Sequence, residues 1–349
     1  MCTIAGYIGS SPAAPVLIDM MSRLEGLDSG FYTGIATIHE GKLYYCKVAG
    51  DLERLLETTD AASLPGNIGF IHSRTPGNIK SDFAGVSHPF TAERDGKTQT
   101  ALILNGCGGI FAEAIRAGIP VAVQQALDWG YTLKSHHPTV GNVTLADGSL
   151  VHSNDVRCQL VDRKIAGGMD PAFALQEVMT EIPSESVSLV LSLAEPEAIS
   201  FARFNFPMHV TFGKNGAYMA TAPMAFPENA GGYTLLPPMS YGKVYKDRFE
   251  VSGFVSPPAT VAPITLQVMA AAYDYLEEKL KTPMPFNDTG LGEYLAPLYP
   301  AADCNQRATV RYQAVSELWR QGRLKMETRY IEGQTSELRA PVFWLRLED

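Results

Sequence analysis

A chain of 349 residues, 46% of them hydrophobic, can bury a sizeable core and has room for one large domain and a smaller one. Its 28 Lys and Arg against 37 Asp and Glu leave a formal charge of -9, which excludes an overall basic field of the kind that draws proteins to nucleic acid or anionic lipid. The five cysteines are scattered and contain no C-x-x-C pair, so neither a disulfide framework nor a zinc site is indicated, and a reducing cytoplasm is the expected location. The N-terminus has no basic n-region, and no stretch reaches the roughly 18 apolar residues of a membrane span, so neither a signal peptide nor a membrane anchor is expected.

In chain order, the apolar, β-prone run from Thr3 to Ile8 predicts a buried strand with Cys2 at its tip. Residues 14–27 predict a helix whose buried face carries Leu17, Met20, Met21 and Leu24. A hairpin follows, Thr33 to Ile38 and Lys42 to Val48 about Gly41, and then a short helix from Asp51 to Glu57. Gly69 to Arg74 reads as a strand running into the loop Thr75-Pro76-Gly77, and Ala101 to Leu104 as a strand stopped by Asn105-Gly106. Strand ends of this kind are where binding groups gather.

A helix over 109–117, a long polar connection to Gly148 and a helix from Val156 to Ala166 come next, with Asp155 readable as the N-cap of the last. Four short strands over 187–193, 198–204, 209–212 and 217–221 predict a second sheet. The Pro-rich segment 253–260 marks a boundary between residues 2–254 and a module over 260–349. That module combines helices over 265–280 and 308–320 with a terminal hairpin, 323–331 and 340–347, a pattern similar to a winged helix.

The chemistry starts at Cys2. Removal of Met1 leaves one residue that owns both a nucleophilic sulfur and a free α-amine. The amine titrates near ~8 and the thiol near ~8.5, so the amine can take up the thiol proton during attack. Taken alone, a cysteine here is more often a small buried apolar residue. Likewise an arginine such as Arg74 after a strand is usually an ion-pair partner, and Asn105-Gly106 is a common turn dipeptide.

Together and in order, Met-Cys-Thr-Ile-Ala-Gly-Tyr-Ile-Gly, His72-Ser73-Arg74 and Leu102-Ile103-Leu104-Asn105-Gly106 resemble the motifs of class II glutamine amidotransferases, over residues 2–254. The resemblance implies an α+β fold, a four-layer αββα N-terminal-nucleophile hydrolase sandwich, followed here by the small winged-helix-like domain. It implies Cys2 as nucleophile and glutamine as substrate, with the Asn105 amide and the Gly106 N–H as oxyanion donors. Arg74 would hold the α-carboxylate, which suits a planar, permanently charged fork, and Asp155 the α-amine. Thr75 and His88, the latter in Ser87-His88-Pro89, complete the expected substrate contacts. No cofactor or metal is implied; His136, His137 and His152 read as solvated loop histidines.

Thr3 replaces a family glycine, the tryptophan after the His-x-Arg motif is replaced by Thr75-Pro76-Gly77, and the Arg-Gly-Tyr-Asp-Ser loop is reduced. The residues after 254 are too few for paired sugar-isomerase domains. Ammonia would therefore go to an acceptor on a separate partner protein, or to none. Met-Cys-Thr also opens N-terminal-nucleophile hydrolases of acylated amino acids, and a non-catalytic glutamine sensor is a third reading. From Asp303 to Asp349 eight basic residues face seven acidic, which makes nucleic acid an unlikely partner and favours a docking or homo-oligomerisation role for the module.

Overall fold

The computed structural model describes residues 2–77 and 79–348; Met1, on whose removal the expected role of Cys2 depends, lies outside the described residues. The first strand sets the layering. β1 (Thr3–Gly9) is buried along its whole length, and alternation sends Ala5 and Tyr7 to one face of the sheet and Ile4 and Ile8 to the other. α1 (Ala13–Ser22) covers the first face with Leu17, Met20 and Met21, as its apolar spacing predicts.

The chain continues through β2 (Tyr32–His39), β3 (Lys42–Ala49), α2 (Leu52–Thr58), β4 (Ile68–Arg74), β5 (Phe90–Arg94) and β6 (Lys97–Cys107) to α3 (Ala112–Asp128). A two-residue pair, β7 (Val143–Thr144) and β8 (Leu150–Val151), precedes α4 (Ser153–Ala166) and α5 (Pro171–Glu181). Then come β9 (Glu185–Ser192), β10 (Ile199–Arg203), β11 (His209–Gly213), β12 (Gly216–Ala220), β13 (Tyr233–Leu235), β14 (Ser240–Val244) and β15 (Phe249–Gly253).

These strands form two antiparallel sheets, one ordered β13-β11-β12-β1-β4-β2-β3 and the other β15-β14-β10-β9-β6-β5. An apolar layer holding Ile4, Phe70, Ile103, Leu189 and Phe201 lies between them. On the far side of the second sheet, α3, α4 and α5 pack Ile119, Leu160, Leu175 and Val178 against Phe90, Leu102 and Val190. The order of layers is therefore helix, sheet, sheet, helix.

Three expectations need correction. The four strands from 187 onward do not make a sheet of their own. β9 and β10 join β6, whereas β11 and β12 cross over to pair with β1, because the buried segment after Arg203 carries the chain between layers. α3 runs 17 residues through Gly118 and Pro120 where the sequence predicts an end near 117; Ile119, Ala122, Val123 and Ala126 are buried and hold it to the sheet. Asp155 is not the N-cap of α4. His152 is, its ring accepting from the Asn154 N–H, and Asp155 sits inside the first turn.

The last module carries α6 (Leu266–Lys279), β16 (Met284–Pro285), α7 (Leu291–Leu295), α8 (Arg307–Arg320), β17 (Leu324–Glu332) and β18 (Arg339–Leu347), with the strands ordered β16-β18-β17. Its core is continuous with the layer under α1: Val268, Leu276, Val315 and Phe343 share one apolar cluster with Leu17, Met20 and Leu27. Among the described residues no helix is long and apolar enough to cross a membrane.

Candidate active site

Register assembles the site. β1 pairs with β4 so that Thr3 faces Ser73, which puts Cys2 beside Arg74 at the same end of the sheet. β6 of the facing sheet is not stopped by Asn105-Gly106 as the sequence predicts: both residues stay in the ladder, opposite Val187 and Ser186 of β9, and the strand ends at Cys107. His72 ties the two sheets at this level through Nε2–H donation to the Leu104 carbonyl at 3.1 Å. The ends open into a cavity of about 520 Å³ lined by Cys2, Arg74, Thr75, His88 and Gly106, among others.

Cys2 is buried, and its backbone N–H donates to Asn105 Oδ1 at 3.1 Å. That contact fixes which way the amide points. Asn105 Nδ2, fully buried, is left with no hydrogen-bond partner among the described residues, an omission that usually costs ~1–3 kcal/mol. Burial pushes the Cys2 thiol above its ordinary range, opposed by the Arg74 charge and by the nearby Thr75 backbone N–H.

Arg74 is buried, donates through Nη1 to the Val86 carbonyl at 2.9 Å and lies over the Tyr32 ring at 5.0 Å. Gly106 is a glycine for a different reason from the one its sequence position implies. A Cβ there would stand 2.2 Å from the Glu185 carbonyl oxygen and 2.6 Å from Ser186 Cα, so the requirement comes from close packing against β9.

His88 stacks on His72 with ring centroids 4.0 Å apart. Burial holds His88 and His152 well below the ordinary histidine range and His72 down at about 3, so all three are neutral. His152, expected in a solvated loop, is buried as the cap of α4. Asp155 is not brought to the cavity. It is fully buried, with Oδ2 accepting from the Ser135 N–H and hydroxyl and Oδ1 accepting from Gln159 Nε2.

The cavity wall on that side is built by Ser153, Asn154 and Arg157 instead. Arg157 is buried and donates through Nη1 to Asn154 Oδ1 at 2.8 Å and through Nη2 to the Ile182 carbonyl at 3.1 Å. Its signal was in the sequence. Ser153 and Arg157 are one helical turn apart and share a face once the helix is started at 153.

No family model matches the chain. Among curated proteins, the glutamine–fructose-6-phosphate aminotransferase (isomerizing) of Pyrococcus horikoshii is 29% identical over 259 residues, which are 73% of this chain and 38% of that protein. The protein of the same name from Bartonella henselae is 26% identical over 229 residues, 64% of this chain and 32% of its own length. Over that part of its length the chain is a homologue of these aminotransferases. The fold agrees: the glutamine phosphoribosylpyrophosphate amidotransferase from B. subtilis superposes with a TM-score of 0.57 at 13% identity, over 80% of this chain and 58% of that one. The chain spans less than two fifths of the length of either aminotransferase.

Proposed function

We propose that the chain hydrolyses the side-chain amide of glutamine or a glutamine-like compound through a Cys2 thioester. With Met1 removed, the Cys2 α-amine accepts the thiol proton, directly or through a water, as the sulfur attacks the carboxamide carbon. The oxygen of the tetrahedral intermediate then takes hydrogen bonds from Asn105 Nδ2 and the Gly106 N–H. The carbon–nitrogen bond breaks, the α-ammonium returns its proton to the leaving nitrogen, and ammonia departs. Water hydrolyses the thioester and restores the thiol.

The observation that carries this reading is the orphaned Asn105 Nδ2 beside the nucleophile. A buried donor without a partner in the resting site gains one only when charge develops there, and that is the requirement for transition-state rather than ground-state binding. Arg74, free of any carboxylate within ion-pair distance among the described residues, supplies the charge for a substrate carboxylate. The sealed carboxylate of Asp155 gives it a positioning role through Ser135, and the ring of His88 forms part of the wall.

The module after residue 260 we read as a winged-helix-like unit with a docking role. α8, the helix such a unit would offer to nucleic acid, is committed inward: Gln306 and Thr309 accept from Arg203, and Glu317 accepts from Tyr233. An ammonia acceptor would lie outside residues 2–348. The test is to verify Met1 removal by mass spectrometry, incubate the full chain with glutamine and measure ammonia and glutamate. Equal release by wild type and Cys2→Ala would end the catalytic reading.

A further inference from the structure

Resting on that amide-hydrolase reading, we propose that the preferred substrate is an amide whose head group offers only acceptors: a carboxylate beside a blocked, uncharged nitrogen, as in an N-acylated glutamine, instead of a free zwitterionic amino acid. The charged side chains that line the cavity are Arg74, Arg116 and Arg157, and among the described lining residues none is acidic. Arg116 is at the exposed mouth, 3.9 Å from Glu113, but Arg74 and Arg157 are buried and neither has a carboxylate partner among the described residues. Buried cations of this kind call for an anion.

The orphaned polar atoms of the wall agree. They are Arg157 Nε and His88 Nδ1. Asn154 Oδ1 accepts from Arg157, so Asn154 Nδ2 faces His88 Nε2 at 3.2 Å, and that nitrogen must accept. The neutral His88 ring therefore carries its proton on Nδ1. Both of these buried, unpaired side-chain atoms are donors.

A substrate ammonium needs the opposite. The acid expected to meet it, Asp155, has both oxygens engaged and lies outside the cavity lining. Of the two other nearby acids, Asp28 lies 3.5 Å from Arg311, and Glu185 accepts from the Ile110 N–H and from Asn205; neither lines the cavity. An ammonium would thus be desolvated among cations, whereas an acyl carbonyl in its place accepts from the donors already present. About 520 Å³ falls in the range that takes drug-sized ligands, which leaves room for the acyl group.

The reaction is unchanged in its balance. Sulfur adds to the terminal carboxamide carbon, the bond to nitrogen breaks and releases ammonia, water adds to the thioester, and the products are N-acylglutamate and ammonia with the acyl amide intact. The full chain, with Met1 removed, is assayed for kcat/KM of ammonia release from glutamine, N-acetylglutamine and glutaramate, the same amide without the amine. Both ammonium-free compounds are expected to exceed glutamine at least tenfold, equivalent to ~1.4 kcal/mol.

Glutamine equal to or better than N-acetylglutamine overturns the specificity and leaves the hydrolase standing. Acetate in place of ammonia from N-acetylglutamine overturns it in favour of acyl-amide cleavage. No amide consumed above the Cys2→Ala level overturns both readings. Arg157→Gln should raise KM for N-acetylglutamine about tenfold or more and shift the preference toward glutamine; a loss shared equally by both substrates would mark Arg157 as purely structural and count against the proposal.

Discussion

Replacing Asn105 separates the two tasks its side chain performs. Oδ1 holds the Cys2 N–H at 3.1 Å, and Nδ2 is the unpartnered donor. Asn105→Ala removes both. It leaves the Cys2 N–H unsatisfied, worth ~1–3 kcal/mol of stability, and takes away one oxyanion donor, worth ~10²–10³ in kcat. Asn105→Asp is nearly isosteric and keeps the acceptor for Cys2, so it spares much of the stability. It also sets a carboxylate at roughly 3 Å from the developing oxyanion, and at an effective dielectric constant near 20 that repulsion is ~5 kcal/mol, so when ionised it should be slower than Ala. A buried Asp has a raised pKa and donates again once protonated, so its activity should recover toward acid pH while that of Ala does not. The assay is ammonia release at saturating amide across pH, with Met1 removal and thermal midpoint checked for each variant. In both, KM should move little, because the lost interaction belongs to the transition state. A kcat within threefold of wild type for folded Asn105→Ala, or an Asp variant faster than Ala at alkaline pH, would refute the oxyanion assignment.

Arg74→Ala should raise KM strongly, by the ~1.5–3 kcal/mol of a charge-assisted hydrogen bond, and Arg74→Lys should recover only part of it because a point charge lacks the fork; initial rates over a substrate series decide this. Glu25 is buried beneath the site and accepts from Ser73, Thr33 and the Leu52 N–H, yet burial pushes its carboxyl up to about 7 from an ordinary value near 4.5. Its folded pKa is the higher one, so its stabilisation is full below pH 4.5 and lost as pH rises through 7, by ~3 kcal/mol; urea midpoints at pH 5 and 7.5 should show that slope in wild type and not in Glu25→Gln. Gly30 has φ +96 and a Cβ there would stand 2.4 Å from Pro341 Cδ, whereas Gly96 at φ +69 has open space around it. Gly30→Ala should therefore cost ~2–4 kcal/mol and Gly96→Ala about 1 kcal/mol, and equal thermal shifts would deny the contact with β18.

What the sequence made legible were features whose cause is local. The strand ends that carry Cys2 and Arg74 follow from β-prone runs, and the sheet register then brings them to Asn105; that Asn105-Gly106 stays inside β6 instead of turning the chain was hidden, because the pairing with β9 that holds it comes from far along the chain. What it hid depends on partners distant in the chain. Asp155 and Arg157 both belong to α4, but which of them faces the cavity is decided by where the helix begins. A start at Val156 points to Asp155, and the His152 cap moves the start to 153 and gives the cavity Ser153, Asn154 and Arg157. The crossing of β11 and β12 to the first sheet was equally hidden, since nothing in four alternating strands says which layer each joins. α3 passed through a glycine and a proline because tertiary burial outweighed local propensity.

The module after residue 260 looks detachable in sequence, where two prolines and small residues precede it, but the contacts it makes bear on the proposed nucleophile, Cys2. β18 packs Phe343 so closely on Gly26 that a Cβ would stand 2.3 Å from the ring, and Pro341 does the same at Gly30. Gln334 donates to the Phe31 carbonyl, and Arg311 of α8 lies 3.5 Å from Asp28. All four contacts fall on residues 26–31, the segment whose Ser29 hydroxyl lies 2.7 Å from the Thr3 hydroxyl next to Cys2. A module held only by a linker would leave that segment solvated. Here one apolar cluster runs from α1 into α6 and α8, so the backing of β1 at its Cys2 end is supplied in part by the last 90 or so residues. Docking of a partner on the outer face of this module would therefore act on a support that is two side chains from Cys2, a mechanical link that a tethered domain could not provide.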